Sequence, residues 1–257
     1  MLFNQTVFIG IDPNASGREI TFAVLDHNLQ LVTIARENLS ALLAYINGQR
    51  AAFVAVNAPS QPNQNLLKDE EYRANLDPQP SPGRWTKFRV AEYQLFQKNI
   101  RIPFTRSKAA DCPQWMQTGF KIYRQLKALG YDHYPAGDKV QQMLEVYPHA
   151  AYTVLLGTIP FRKDTLEGRL QRQLVLHSRA LDLPDPMRVF EEITRYRILQ
   201  GILPLERLYD PEELDALVAA YTAWMASAKP SRELTLVGDP EEGQIVLPSG
   251  EIKRKYS

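Results

Sequence analysis

Residues 7–17 read Val-Phe-Ile-Gly-Ile-Asp-Pro-Asn-Ala-Ser-Gly, a short apolar run that delivers one carboxylate, Asp12, into a tight turn. Val7, Phe8, Ile9 and Ile11 have the β-branched and aromatic character of a buried strand, and the Asp-Pro-Asn-Ala-Ser-Gly after them is turn chemistry. Asp12 therefore stands where a buried strand ends. An Asp before Pro is also an ordinary turn former, so its meaning depends on which other carboxylates reach the same end of the sheet.

Outward from this strand, residues 20–25 (ITFAVL) read as a second strand, and Asp26-His27-Asn28 as a hairpin connection to a third over 29–35. Three adjacent strands joined by short turns make an antiparallel meander. Residues 39–47 read as a helix with Leu39, Leu42, Leu43 and Ile46 on one face and Gly48 as its stop. Residues 52–56 (AFVAV) are apolar throughout, the pattern of a strand covered on both sides. Because it follows a crossover helix, this strand is expected parallel to the first and beside it, which brings Asn57 close to Asp12.

Residues 61–88 are rich in Gln, Asn, Asp, Pro and Gly, with Pro62, Pro78, Pro80 and Pro82 opposing regular helix, and read as a long loop. From 84 to 108 the chain turns basic, through Arg84, Lys87, Arg89, Lys98, Arg101, Arg106 and Lys108, with Trp85, Phe88, Tyr93, Phe96 and Phe104 interleaved. Such a mixture can hold a phosphate backbone and stack bases, and a helix with a wet basic face and a packed aromatic face has the same composition. Packing is the favoured reading here, with Arg89 the candidate exception. Residues 61–108 together form a loop and basic insertion.

Residues 113–129 carry an apolar stripe of Trp115, Met116, Phe120, Tyr123, Leu126 and Leu129, the signature of a core-facing helix ended by Gly130. Residues 140–147 read as a strand, so Glu145 lies near a strand end, and His149-Ala150-Ala151 opens a further helix. Two amphipathic helices are expected at 166–181 and 187–199, forming a helical addition over 160–205. Asp210-Pro211-Glu212-Glu213 is a complete helix start, with Asp at the N-cap, Pro at the first helical position and Glu213 placed to close a capping box. Along the helix that follows, Asp215, Ala219, Thr222 and Ala226 share one stripe. Small side chains there let a helix lie close to a sheet, which would aim Asp215 at the strand ends. Residues 234–237 and 244–247 flank a Gly-Asp-Pro-Glu-Glu-Gly turn and read as a terminal hairpin.

The chain has 257 residues, 44% of them hydrophobic, enough for a large core. Thirty basic and 29 acidic residues leave a formal net charge of +1, so nucleic acid or an anionic membrane could be attracted through a local patch alone. A single cysteine, Cys112, excludes an internal disulfide framework and a cysteine metal cage and suits a reducing compartment. Asn4 and Gln5 interrupt the apolar start, and no apolar run approaches the roughly 20 residues of a membrane span, so a cytoplasmic protein is expected.

The order of these elements resembles the ribonuclease H-like fold: a mixed sheet of antiparallel meander and parallel strands, flanked by helices, with a late helix carrying Asp. More narrowly, the chain is similar to an uncharacterised family of predicted RNase H-like nucleases. The matching phrases are GID at 10–12, VNAPS at 56–60, Arg89-x-x-Glu92-x-x-Leu95, EVYPHAAY at 145–152, Lys163 through TLEGR to Arg169, ELDALVAAYTA at 213–223 and GDPEEGQIVLP at 238–248. They span nearly the whole chain as one RNase H-like domain, 1–257, and their order is more specific than any one of them.

The resemblance implies that Asp12, residue 57, Glu145 and Asp215 form a catalytic site, with Asp12, Glu145 and Asp215 holding Mg²⁺ or Mn²⁺. Hard divalent cations prefer oxygen ligands, and such ions activate water and stabilise a leaving oxygen in phosphodiester hydrolysis. Lys163 and Arg169, with Arg89, are candidate substrate phosphate contacts. His149 is expected to pack locally. Position 57, usually Asp in the family, is Asn57 here, an uncharged ligand that weakens metal binding. The competing readings are a non-catalytic nucleic-acid-binding or scaffold protein that kept the fold, and nucleotide binding of the actin and sugar-kinase type. The last ranks below the others, because no second copy of the phosphate turn occurs.

Overall fold

The computed structural model describes residues 6–14, 19–81, 83–228 and 233–257. Of the residues named above, Asn4, Gln5, Ala15, Ser16, Gly17 and Pro82 lie outside that set. The N-terminal strand is β1 (Val7–Asp12), followed by β2 (Ile20–Leu25) and β3 (Leu31–Glu37) in the expected antiparallel meander. The third strand begins two residues later than the sequence pattern indicates, because Leu29 turns through a left-handed backbone angle (φ 62°) and belongs to the connection. Helix α1 (Leu39–Asn47) is capped by the Asn38 side chain, and β4 (Ala52–Val56) runs parallel to β1 beside it.

The loop region is more ordered than its composition indicates. It contains a helical turn over Leu66–Lys68 and a short helix α2 (Glu70–Ala74), whose first turn is capped by the Asp69 carboxylate. Helix α3 (Val90–Gln97) follows, then α4 (Gln114–Ala128), a two-residue strand β5 (Asp132–His133) and β6 (Gln141–Glu145). Helices α5 (Pro148–Leu156) and α6 (Leu166–Ser178) come next. The amphipathic stretch expected as one helix over 187–199 divides into α7 (Arg188–Glu192) and α8 (Arg195–Leu199). Ile193 is extended there, and the Thr194 hydroxyl accepts from the Arg197 N–H to start a new helix. Helix α9 (Pro211–Ala228) begins with the full capping box: the Asp210 N–H donates to Glu213 at 2.9 Å, and the Glu213 N–H donates to Asp210 at 3.0 Å.

The last two strands, β7 (Thr235–Asp239) and β8 (Gly243–Leu247), form the expected hairpin, which also extends the central sheet through a parallel pairing of Ile245 with Glu145. The result is a mixed eight-stranded sheet of order β3-β2-β1-β4-β6-β8-β7, with β5 beside β6. One face carries α9, α5 and α6 on Phe8, Phe53, Ala55, Leu144 and Val146. The other carries α1 and α4 on Ile9, Ile11, Val54, Val56 and Met143. No helix among the described residues is long and apolar enough to cross a membrane.

Backbone contact between β1 and α9 sets the geometry of this core. A Cβ added at Gly10 would lie 2.0 Å from the Ala216 carbonyl oxygen and 2.3 Å from the Ala220 nitrogen. The facing residues Ala216, Ala219, Ala220 and Ala223 are all fully buried; the stripe against the strand is thus made of alanines and shares only Ala219 with the expected stripe of Asp215, Ala219, Thr222 and Ala226. Gly10→Ala should therefore cost about 3 kcal/mol or more in chemical denaturation, since two backbones must part to admit one methyl group; a cost under about 1 kcal/mol would contradict this packing.

Candidate functional site

The close approach of α9 to β1 places Asp215, one residue before Ala216, beside Asp12, two residues beyond Gly10 on the same sheet face. Both carboxylates are buried, Asp12 to 6% exposure and Asp215 to 5%. They line a cleft of about 690 Å³ whose walls include Asn57, Arg101, Trp115, Tyr147, His149, Phe161, Lys163 and Arg172. Burial, then the nearby Asp215 charge, pushes Asp12 up to about 7, against the pull of the Asn14 N–H, Lys163 and Asn57. Asp215 is likewise raised by burial, with Lys163 opposing. Lys163 donates to Asp215 Oδ2 at 2.7 Å. Burial pulls the lysine down, but Asp215 and then Asp12 outweigh it and hold Lys163 protonated above its ordinary range.

Asn57 follows β4, and its Nδ2 donates to Asp12 Oδ2 at 3.3 Å, so it meets Asp12 through its amide nitrogen and not its oxygen. Asp12 Oδ1 accepts the Asn14 N–H at 2.9 Å, and the buried Oδ1 of Asn14 has no hydrogen-bond partner. His149 is lowered to about 4 by burial and by the charge of Arg172, so its imidazole is neutral at physiological pH. Its ring meets Tyr147 edge to face, which agrees with local packing.

Glu145 occupies a different place. Register pairs Ile11 with Val56 and Val56 with Glu145, so Asp12 and Asn57 lie level with Val146. Successive side chains of a strand point to opposite faces, and the one-residue offset turns Glu145 away from Asp12, toward the face of α1 and α4. There it accepts from the Ser60 N–H at 2.9 Å and pairs with both terminal nitrogens of Arg89. Arg89 is 1% exposed and also donates to Glu92 at 3.1 Å, while Glu92 further accepts from Thr105. The guanidinium is thus committed to two buried acids and is closed to a substrate phosphate. Among the described residues no cluster of three or more His, Cys, Asp or Glu side chains is placed to hold a metal ion.

Lys163 is in the cleft. Arg169 is outside its walls: Nε donates to the Tyr209 carbonyl at 2.8 Å and Nη2 to that of Leu208 at 2.6 Å, which anchors the segment leading into α9. The aromatic residues of the basic stretch pack on one another, Trp85 against Phe88, Tyr93 and Phe96, and Phe88 against Phe104. They form a small core. Arg172, which sequence reasoning passed over, faces the cleft from α6; the available signal was a charge in helical phase with the buried positions Gly168 and Leu176.

A family model described as Protein of unknown function (DUF429) matches residues 10–242. The chain belongs to that family. The match runs from Gly10, the glycine that admits α9, to Glu242, and so contains every residue of the cleft described above. No curated protein and no solved structure gives a significant match.

Removing one member of the Arg89 cluster strands buried charge. Arg89→Met should cost about 3–5 kcal/mol in urea denaturation, because Glu92 and Glu145 lose their shared cation. A cost below about 1 kcal/mol would show that the acids are solvated or protonated instead.

Proposed function

We propose that this protein is a metal-dependent nuclease of RNase H-like fold that hydrolyses phosphodiester bonds of DNA or RNA. The observation that carries the reading is the pair of buried carboxylates, Asp12 and Asp215, facing one cleft whose walls supply cations and aromatic rings. An antiparallel meander continued by parallel strands, with an acid at the end of β1 and another on the late helix, supports the fold assignment.

The donor set fits one hard divalent cation better than two. Asp12 and Asp215 offer two carboxylates, the second raising the first, the Asn57 amide oxygen offers a neutral third ligand, and the orphaned Asn14 oxygen lies on the turn just after Asp12. Glu145 stays with Arg89. A bound Mg²⁺ or Mn²⁺ at these residues would supply an acidified water and charge stabilisation at the scissile phosphate. The chain's own residues do the rest. Asn57 holds Asp12 in place by its N–H, and Lys163 keeps Asp215 charged until substrate arrives. Arg101, exposed on the rim, offers a cation to the phosphate backbone. Trp115 and Phe161 provide ring faces on which bases can stack.

A non-catalytic nucleic-acid-binding protein is the second reading, favoured by the amide at 57 and by the engagement of Glu145 with Arg89. Cleavage of a panel of single- and double-stranded DNA, RNA and junctions in Mn²⁺ separates the two. The nuclease reading predicts metal-dependent turnover that falls at least about 100-fold in Asp12→Asn. Turnover that survives that change excludes the mechanism, and salt-dependent binding without turnover across the panel selects the second reading. Asn57→Asp should tighten Mn²⁺ binding about tenfold by calorimetry, since it adds a charged ligand; unchanged affinity would remove residue 57 from the ligand set.

A further inference from the structure

Arg172 is 2% exposed, yet no described carboxylate forms an ion pair with it. Its Nη1 donates to the carbonyls of Phe161 at 2.7 Å and Gly168 at 3.0 Å, which fixes one side of the guanidinium. The Tyr152 ring, centred 5.3 Å from its central carbon, fixes the plane. The other side is unfilled: Nε is buried with no partner, and among the described residues Nη2 makes no hydrogen bond. Nε and Nη2 form the edge of a guanidinium that presents parallel N–H groups to two oxygens of one anion.

A buried charge normally finds a carboxylate, and this guanidinium, held on one side and lining the cleft, keeps donors that no described protein group satisfies. Gly168 keeps this fork next to Lys163. A Cβ at Gly168 would lie 1.7 Å from the Arg162 carbonyl oxygen, so the absence of a side chain lets the 161–163 segment close against α6. Arg172 and Lys163 then share a wall of the cleft.

We propose that the Nε–Nη2 edge of Arg172 and the neighbouring Lys163 ammonium form an anion subsite of the cleft that takes a phosphate group. That this phosphate belongs to a nucleic-acid substrate rests on the nuclease reading above; the anion subsite itself does not. A phosphate can give two oxygens to the fork and a third to Lys163, whereas a carboxylate has no third oxygen to give. Arg172 would thereby fix where the substrate backbone lies relative to Asp12 and Asp215.

The test is calorimetric titration of the full chain in EDTA with inorganic phosphate, and with acetate for comparison. Phosphate should bind more tightly than acetate. Arg172→Lys, which keeps the charge and loses the fork, should weaken phosphate binding about tenfold or more, and acetate binding with it, whereas Lys163→Gln should remove the preference for phosphate over acetate. If that variant does not fold, Lys163→Gln carries the test, because this half-exposed side chain can be replaced without opening the core, and it should weaken phosphate binding several-fold by comparison. Phosphate binding unchanged in the folded variant, or no phosphate binding by the parent chain, overturns the subsite. With neither metal nor turnover in the assay, a failed nuclease screen leaves this result standing, and a parent chain that cleaves nucleic acid but binds phosphate no more tightly than acetate would reject the subsite alone.

Discussion

Everything at the cleft depends on one contact without a side chain, the meeting of β1 and α9 at Gly10. Because neither Gly10 nor the alanines facing it hold the two elements apart, the helix backbone touches the strand backbone and Asp215 arrives at the level of Asp12. A wider spacing would leave the two acids separated by side chains and give each its own water. The close spacing buries both acids, and that burial is the largest influence on both carboxylates.

Buried charge is then balanced locally on each face of the sheet. On the α9 face, Asp12 and Asp215 are matched by Lys163 and Arg172, of which only Lys163 makes a direct ion pair. On the opposite face, Glu145 and Glu92 share Arg89. The two groups meet across neighbouring strands without merging, because strand parity sends side chains of adjacent residues in opposite directions. Arg172 differs from Arg89 in having no carboxylate partner among the described residues and a buried Nε without any hydrogen bond, and it lines the cleft, which is why it reads as part of a binding surface.

Much of the fold was legible in the sequence. Apolar runs bounded by turn residues marked β1, β2 and β4, and the Asp-Pro-Glu-Glu start marked α9 to the residue. Position along the chain also placed Asp12, Asn57 and Asp215 near one another, and Lys163 came in through the family resemblance. It misled for Glu145, because being close to a strand end says nothing of which face a side chain takes; one residue of register decides that, and register is set by pairing partners far away in sequence. Arg89 was hidden for a related reason: its partners Glu145 and the Glu242 carbonyl come from a distant strand and the turn between β7 and β8. Arg172 and Arg169 stand one helical turn apart, and only their surroundings separate a cleft residue from an anchor of backbone carbonyls.

Asp12 and Asp215 share one buried neighbourhood created by the approach of α9 to β1. Carbon-13 NMR titration of the aspartate carboxyls in metal-free protein measures this directly. The account predicts an Asp12 midpoint of about 7 that falls when Asp215 is replaced by Asn, since burial and then that like charge hold it up. An Asp12 midpoint near the ordinary value of about 4, indifferent to the Asp215→Asn change, would contradict it.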